Sequence, residues 1–154
     1  MLALTVLSSS FVAGATIPPR FTCMGEDVSP HISWSKVPQE TESVALICDD
    51  PDAPSGDWVH WVVFNIPPDV EKLDANVPEN PTLPNGTIQG VNDFGKNGYG
   101  GPCPPPGKPH RYFFRVYALD TKLELPPSTT KAQLLKAMEG HVLAKGDMAG
   151  MFGR

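Results

Sequence analysis

The stretch Ser43–Ile66, SVALICDDPDAPSGDWVHWVVFNI, decides how the rest of the chain is read. Ser43 to Cys48 is a near-continuous apolar run of strand length, and Trp58 to Ile66 is a second, rich in Val, Trp and Phe. Runs of this length and composition predict buried central strands. Between them lies DDPDAPSGD, a tight polar loop. Tyr112 to Leu119, carrying Phe113, Phe114, Val116 and Tyr117, predicts a third central strand, and SPHISWSKVP a short one bounded by prolines. Residues 1 to 20 alternate loosely and end at Pro18-Pro19, which reads as a first strand closed by a turn, because proline cannot donate to a sheet ladder.

Composition agrees with many turns and few helices. The chain has 154 residues, 18 of them proline and 14 glycine. A single domain of that length buries roughly two thirds of the surface its unfolded chain exposes, enough for a core without metals or disulfides. From Pro67 to Gly101 proline, asparagine and glycine dominate, which predicts long ordered loops. One helix is expected, over Thr129 to Leu143, capped by Ser128, with Leu134, Leu135, Met138 and Val142 at helical spacing. One sheet-dominated domain over 1–154 with a peripheral helix follows, arranged as a two-sheet sandwich.

A net charge of −5 gives no general attraction to nucleic acid or to an anionic membrane surface, both of which need clustered lysine and arginine. No apolar stretch reaches the roughly 18 residues of a membrane helix, so no membrane insertion is expected. The odd set Cys23, Cys48 and Cys103 has no CxxC spacing and reads as reduced thiols in a cytoplasmic protein. The apolar Leu2 to Leu7 and the Ala13-Gly14-Ala15 triplet imitate a leader, but basic residues are missing before them and Ser8-Ser9-Ser10 interrupts them; strand is the expectation. Asn85-Gly86-Thr87 reads as a turn, and His31 and His141 have no partner visible in the sequence. The apolar Met148 to Phe152 end either packs on the sheets or joins a homodimer contact.

Chemistry-bearing residues fall in two clusters. In the first, Asp50 and Asp52 flank Pro51 after one buried strand and His60 arrives from the next. Alternation puts His60 on the face of Trp58 and opposite Trp61, so that face can look into a cavity. A plainer reading makes the aspartates turn caps and His60 a core histidine. In the second, GYGGPCPPPGKPHRYFFRVYALD, a proline-stiffened loop leads into His110, Arg111 and Tyr112. His110 and Tyr112 share a face; Arg111 takes the other and is expected in a structural ion pair. Two histidines, charged or neutral, a tyrosine hydroxyl and a loop amide would supply donors to a phosphate or carboxylate, with the aspartates orienting the rings and raising their proton affinity. Trp58 and the proline loop would form an apolar mouth.

The pairing of DPDAP with a following WxHW, and of GPCPP with HRY and VYALD, resembles the phosphatidylethanolamine-binding proteins, also called Raf kinase inhibitor-like proteins. The resemblance runs from about Phe11 to Phe152, includes SPHISW and GxNDFG, and is closest to the bacterial and archaeal branch, since the long C-terminal helical extension of the animal branch is missing. It implies an antiparallel β-sandwich with Greek-key character, one or two flanking helices and an anion pocket. Asp50, Asp52, Pro54, His60, His110 and Tyr112 occupy the pocket's motif positions, the Cys103 amide falls where the family offers a backbone donor, and Ala53-Pro54 matches a cis-proline turn.

The expected function is therefore a non-catalytic binding or regulatory protein for a small anionic or phosphorylated ligand, without cofactor or metal, acting on a kinase or other partner. The alternative is a serine protease inhibitor working through a surface loop. A phosphoester hydrolase ranks last, because no nucleophile elbow or metal motif is present in the sequence.

Overall fold

A computed structural model describes residues 2–154. The strands are β1 (Leu2–Ala3), β2 (Thr5–Leu7), β3 (Ile32–Ser35), β4 (Ser43–Asp50), β5 (Trp58–Ile66), β6 (Lys72–Leu73), β7 (Ile88–Gln89), β8 (His110–Leu119) and β9 (Val142–Phe152), with one α-helix, α1 (Lys131–Met138). They form a six-stranded sheet in the order β1-β9-β8-β4-β5-β7 and a three-stranded sheet in the order β2-β3-β6. The protein is mostly β, as the sequence predicts.

Every residue of β4 is buried because the large sheet is covered on both faces. Val44, Leu46 and Cys48 enter the core shared with Val6, Ile32, Trp34 and Leu73 of the small sheet. Ala45 and Ile47, pointing the other way, pack with Val62, Phe64, Leu119 and with Leu134 and Met138 of α1. A strand buried on two faces needs apolar residues at every position, which is why this run was so legible.

Several expectations are corrected. The N-terminal segment is two strands in two sheets, and β1 pairs parallel with β9, so the sheets are not wholly antiparallel. Gly146 permits the crossing: a Cβ there would lie 2.2 Å from the Leu4 carbonyl oxygen. The helix is shorter than Thr129–Leu143, and its cap is Thr130, not Ser128. The Thr130 hydroxyl accepts the Gln133 N–H, while the Gln133 side chain accepts the Thr130 N–H at 3.0 Å. Gly140, at φ +80°, then turns the chain, and Val142 opens β9 instead of extending the helix. Met148 to Phe152 is the end of β9, paired along its length with β8.

The cysteines are not all reduced. Cys23 and Cys103 are joined across a sequence separation of 80, with Cα atoms 5.4 Å apart, and only the buried Cys48 is free. The bond removes the reduced-thiol argument for a cytoplasmic protein. Among the described residues, no helix is long and apolar enough to cross a membrane. Ala53-Pro54 is not cis; no cis peptide occurs among the described residues. The Gly56 N–H donates to the Ala53 carbonyl at 2.9 Å, closing a turn that takes trans proline at its second position. His31 and His141 do have partners: the Ser9 N–H donates to His31 Nδ1 at 3.0 Å, and His141 Nδ1 meets Asp120 at 2.7 Å.

Candidate functional site

Three adjacent strands, β8, β4 and β5, deliver the candidate side chains to one end of the large sheet. Asp50 closes β4 opposite Trp58, the first residue of β5, and His110 opens β8 on the other side. Beyond these ends lies a cavity of about 290 Å³. Asp50, Pro54, His60, Cys103, His110 and Tyr112 all line it, as do Trp58, Pro104 and Pro105 at the expected apolar mouth. Asp52 does not.

The two aspartates part because the strand stops between them. Two residues apart in a strand they would share a face, but Asp50 is the last strand residue and Pro51 begins a turn. Asp50, 3% exposed, accepts the Asp52 N–H on Oδ1 at 2.8 Å and the His110 Nδ1–H on Oδ2 at 2.7 Å. It therefore orients one histidine, the role the sequence suggested. Asp52 faces outward and clamps Arg111 in the expected structural pair: Oδ2 accepts from the Arg111 backbone N–H and from Nε, and Oδ1 from Nη2, each at 2.9 Å. These bonds from the Arg111 side chain and backbone hold the Asp52 carboxyl at a pKa of about 2, below the ordinary 3.8. The pair ties the β4–β5 loop to the start of β8, two walls of the cavity.

His60 is 2% exposed, and its Nδ1 meets the Gly100 carbonyl oxygen at 2.6 Å. A carbonyl only accepts, so Nδ1 carries the hydrogen and Nε2 of the neutral ring is left as an acceptor. This corrects the expectation that a neutral His60 donates to a ligand. Burial, the largest influence, lowers the His60 pKa, with the Gly100 carbonyl and nearby carboxylates pulling the other way. Tyr112 keeps its proton: burial first, then the charge of Asp50, push its pKa upward. His60 stands edge-on to Tyr112, with ring centroids 5.2 Å apart, and His110 stacks on Tyr112 at 6.4 Å.

Phe94 also lines the cavity and was not singled out as a site residue. Its ring sits 5.6 Å from Trp58 and 5.5 Å from His60, edge-on to both. Asn92 in GxNDFG shapes the turn that presents it, accepting the Phe94 N–H at 2.9 Å. Gly100 makes room, since a Cβ there would lie 2.4 Å from the Phe94 ring. On the far face of the sheet the sequence reading also passed over Asp49, fully buried and held by Arg115 and Lys131 at 3.0 Å each.

The Cys23–Cys103 bond fastens the proline loop to the Pro19–Phe21 turn region. The Cys23 N–H donates to the Pro102 carbonyl at 3.1 Å. The Cys103 N–H makes no hydrogen bond among the described residues, and Cys103 lines the cavity. No group of three or more His, Cys, Asp or Glu side chains is placed to hold a metal among the described residues.

The family description "Phosphatidylethanolamine-binding protein" matches residues 7–153. The chain belongs to the phosphatidylethanolamine-binding protein family. A UPF0098 protein of Methanothermobacter thermautotrophicus is 59% identical over 138 residues, spanning 90% of this chain and 91% of that protein. Another, from Aquifex aeolicus, is 48% identical over 151 residues, with 97% and 88% covered. Among solved structures, E. coli YbcL, described as a member of the mammalian PEBP family, superposes with a TM-score of 0.91 at 35% identity over 98% of each chain. CT736 of Chlamydia trachomatis gives 0.90 at 38% identity, covering 100% of this chain and 99% of that one. These bacterial and archaeal relatives agree with the branch that the sequence motifs suggest.

Proposed function

We propose that this member of the family is a non-catalytic binding protein whose cavity at the end of β8, β4 and β5 holds a small oxyanion, a phosphate or a phosphorylated head group. One observation supports the reading: His60, His110, Tyr112 and Cys103 line one cavity together with Pro54, Trp58, Phe94 and Pro104. Apolar walls strengthen each hydrogen bond to an anion by excluding water, and a few placed polar groups fix its orientation. The open mouth leaves the rest of the ligand outside, so the group recognised is a head group, whether on a free molecule, a lipid or a protein partner such as a kinase. Asp50 supports this as the orienter of His110, not as a direct ligand of the anion.

A hydrolase reading has one observation in its favour, the Asp50–His110 pair, which is the geometry of a general base. Neither cysteine of the region offers a free thiolate, since Cys103 is bonded to Cys23 and Cys48 is buried with its pKa pushed up by burial and by the neighbouring Asp49 and Asp50.

The test is a backbone amide NMR titration with phosphoethanolamine on the wild type and on His60→Ala. Saturable shifts centred on Asp50, His60, Cys103 and His110, lost in the variant while its remaining spectrum is unchanged, are expected. Absence of shifts at these residues overturns the reading. Turnover of p-nitrophenyl phosphate dependent on His110 would replace it with the hydrolase.

A further inference from the structure

The Cys23–Cys103 bond joins two segments that are held in different ways, and neither cysteine belongs to the buried clusters that form the core. Cys23 sits in a turn that is tied to itself. The Thr22 N–H donates to the Pro19 carbonyl at 3.0 Å, the Gly25 N–H to the Thr22 carbonyl at 3.1 Å, and the Met24 N–H to Thr22 Oγ1 at 3.1 Å. Arg20 pairs with Glu26 across the same turn at 2.6 Å.

The other segment is held on either side of its cysteine and not at it. Before Cys103, the Gly101 N–H donates to Asp27 Oδ1 at 2.8 Å and the Pro102 carbonyl accepts the Cys23 N–H at 3.1 Å. After it, the Pro104 carbonyl accepts from Arg154 Nε at 2.7 Å, and the Gly107 N–H donates to the Arg154 carbonyl at 3.2 Å. Cys103 itself makes no backbone hydrogen bond among the described residues, so its place in the cavity wall depends on the bond to Cys23. It is also the open end of that bond: Cys103 is exposed, Cys23 half-buried and the free Cys48 fully buried. Exposed disulfides are the ones open to exchange, because a thiolate must reach one of the sulfurs.

We infer that Cys23–Cys103 is a reversible redox site, opened in the folded protein by a protein dithiol that attacks at Cys103, and that its state governs how firmly the Cys103–Pro105 wall of the cavity is held. The effect on binding rests on the anion-pocket reading; the exchange itself does not. One thiolate of the dithiol attacks Cys103 Sγ, the bond to Cys23 breaks, and Cys23 leaves as a thiolate that takes up a proton. The second thiol of the dithiol then loses its proton and displaces Cys103, which is protonated in turn. The dithiol gives up two electrons and becomes a disulfide, and the chain gains two thiols. Pro104, Pro105 and Pro106 follow Cys103. Proline limits the freedom the released loop gains, and the hydrogen bonds of Pro102 and Pro104 still hold both sides of it, so the two thiols stay near each other and an oxidant can rejoin them.

The experiment incubates the full chain, without denaturant, with thioredoxin, its reductase and NADPH, followed by alkylation and peptide mapping. Alkylation at Cys23 and Cys103 and not at the buried Cys48 is expected, as is a mixed disulfide at Cys103 with a thioredoxin variant that lacks its second cysteine. Amide NMR of the reduced chain should show shifts confined to the loops around Cys23 and Cys103, with β4 and β5 unchanged, reversed by oxidised dithiothreitol. Phosphoethanolamine affinity should fall severalfold on reduction and return on oxidation. A bond that opens only in denaturant, or reduction that unfolds the chain, overturns the inference and makes the bond a staple of the fold. Equal phosphoethanolamine affinity in the two states overturns it and leaves the anion pocket standing. If phosphoethanolamine binds neither state, the anion pocket fails, and the alkylation pattern and the loop shifts decide the redox site by themselves.

Discussion

Breaking the Cys23–Cys103 bond, by the Cys23→Ser, Cys103→Ser double variant or by a reductant, should destabilise the fold by an amount that follows from loop length alone. The bond closes a loop across 80 residues of sequence. Closure of about 15 residues restricts the unfolded chain by about 3 kcal/mol and closure of about 100 by about 4.7, which puts this loop near 4.5 kcal/mol. In a chain of this length one kcal/mol moves the melting temperature by about 2–4 °C, so a fall of roughly 9–18 °C is expected. Urea unfolding monitored by tryptophan fluorescence measures the free energy directly, and the m-value should rise slightly as the released unfolded chain exposes more surface. Cys48 is buried and free, so wild type in reductant and the double variant should melt together. The consequence reaches the cavity, because Cys103 lies in its wall and is tied to Cys23 by the bond. Phosphoethanolamine affinity should fall in the double variant at temperatures where it remains folded. A change in stability below about 1 kcal/mol would refute the argument, since the loop could not then be a free chain in the unfolded state. Identical affinities would refute the role of the tether in positioning the amide.

In Arg111→Ala the Asp52 carboxyl should titrate well above its wild-type value of about 2, towards 3.8, by carboxyl ¹³C NMR. Because the folded value is depressed, the stabilisation from this pair is fully present above about pH 3.8 and is lost as pH falls through about 2. Wild type and variant should therefore differ most in melting temperature above pH 4 and converge by pH 2; a constant gap across that range would show the difference is not due to Asp52. Gly146→Ala would place a Cβ 2.2 Å from the Leu4 carbonyl oxygen, a backbone atom that cannot give way cheaply. A loss of about 1–3 kcal/mol in urea unfolding is expected, and unchanged stability would mean β1 does not lie against β9. Trp61→Phe removes the donor to Gln89 Oε1, while Gln89 still donates to the Pro78 and Asn80 carbonyls. An unpaired buried oxygen costs about 1–3 kcal/mol, read by the same assay, and a neutral result would show that Gln89 re-pairs.

The central strands were readable because their environment leaves one solution. β4 and β5 are enclosed by the small sheet on one side and by α1 on the other, so apolar residues run through them without the gaps that make a pattern ambiguous. β9 was hidden for the opposite reason. Its glycines weaken any strand reading, yet they are required by what crosses it: Gly146 by the Leu4 backbone, and Gly150 by Ile17 and Phe11, whose side chains would lie 2.5–2.7 Å from a Cβ. The sequence records the absence of a side chain, not the neighbour that demands it. The disulfide was hidden likewise, since an odd cysteine count and a separation of 80 residues carry no pairing signal.

The site shows the same boundary between alternation and topology at closer range. Alternation correctly put Trp58 and His60 on one face, and His110 and Tyr112 on another that meets it, because β5 and β8 run unbroken through those positions. It failed for Asp50 and Asp52, where Pro51 ends the strand and turns the second carboxylate outward to Arg111. Arg111, on the face of β8 opposite His110 and Tyr112, meets that outward carboxylate, so neither Asp52 nor Arg111 lines the cavity. Phe94 follows from the same logic in reverse, reaching the cavity from a loop 34 residues beyond His60 because Gly100, bonded to His60 through both its backbone groups, has no Cβ to keep the ring away. The residue that fixes the His60 tautomer is thus also the residue that admits the aromatic wall. A substitution at Gly100 would disturb the proton and the shape of the cavity together.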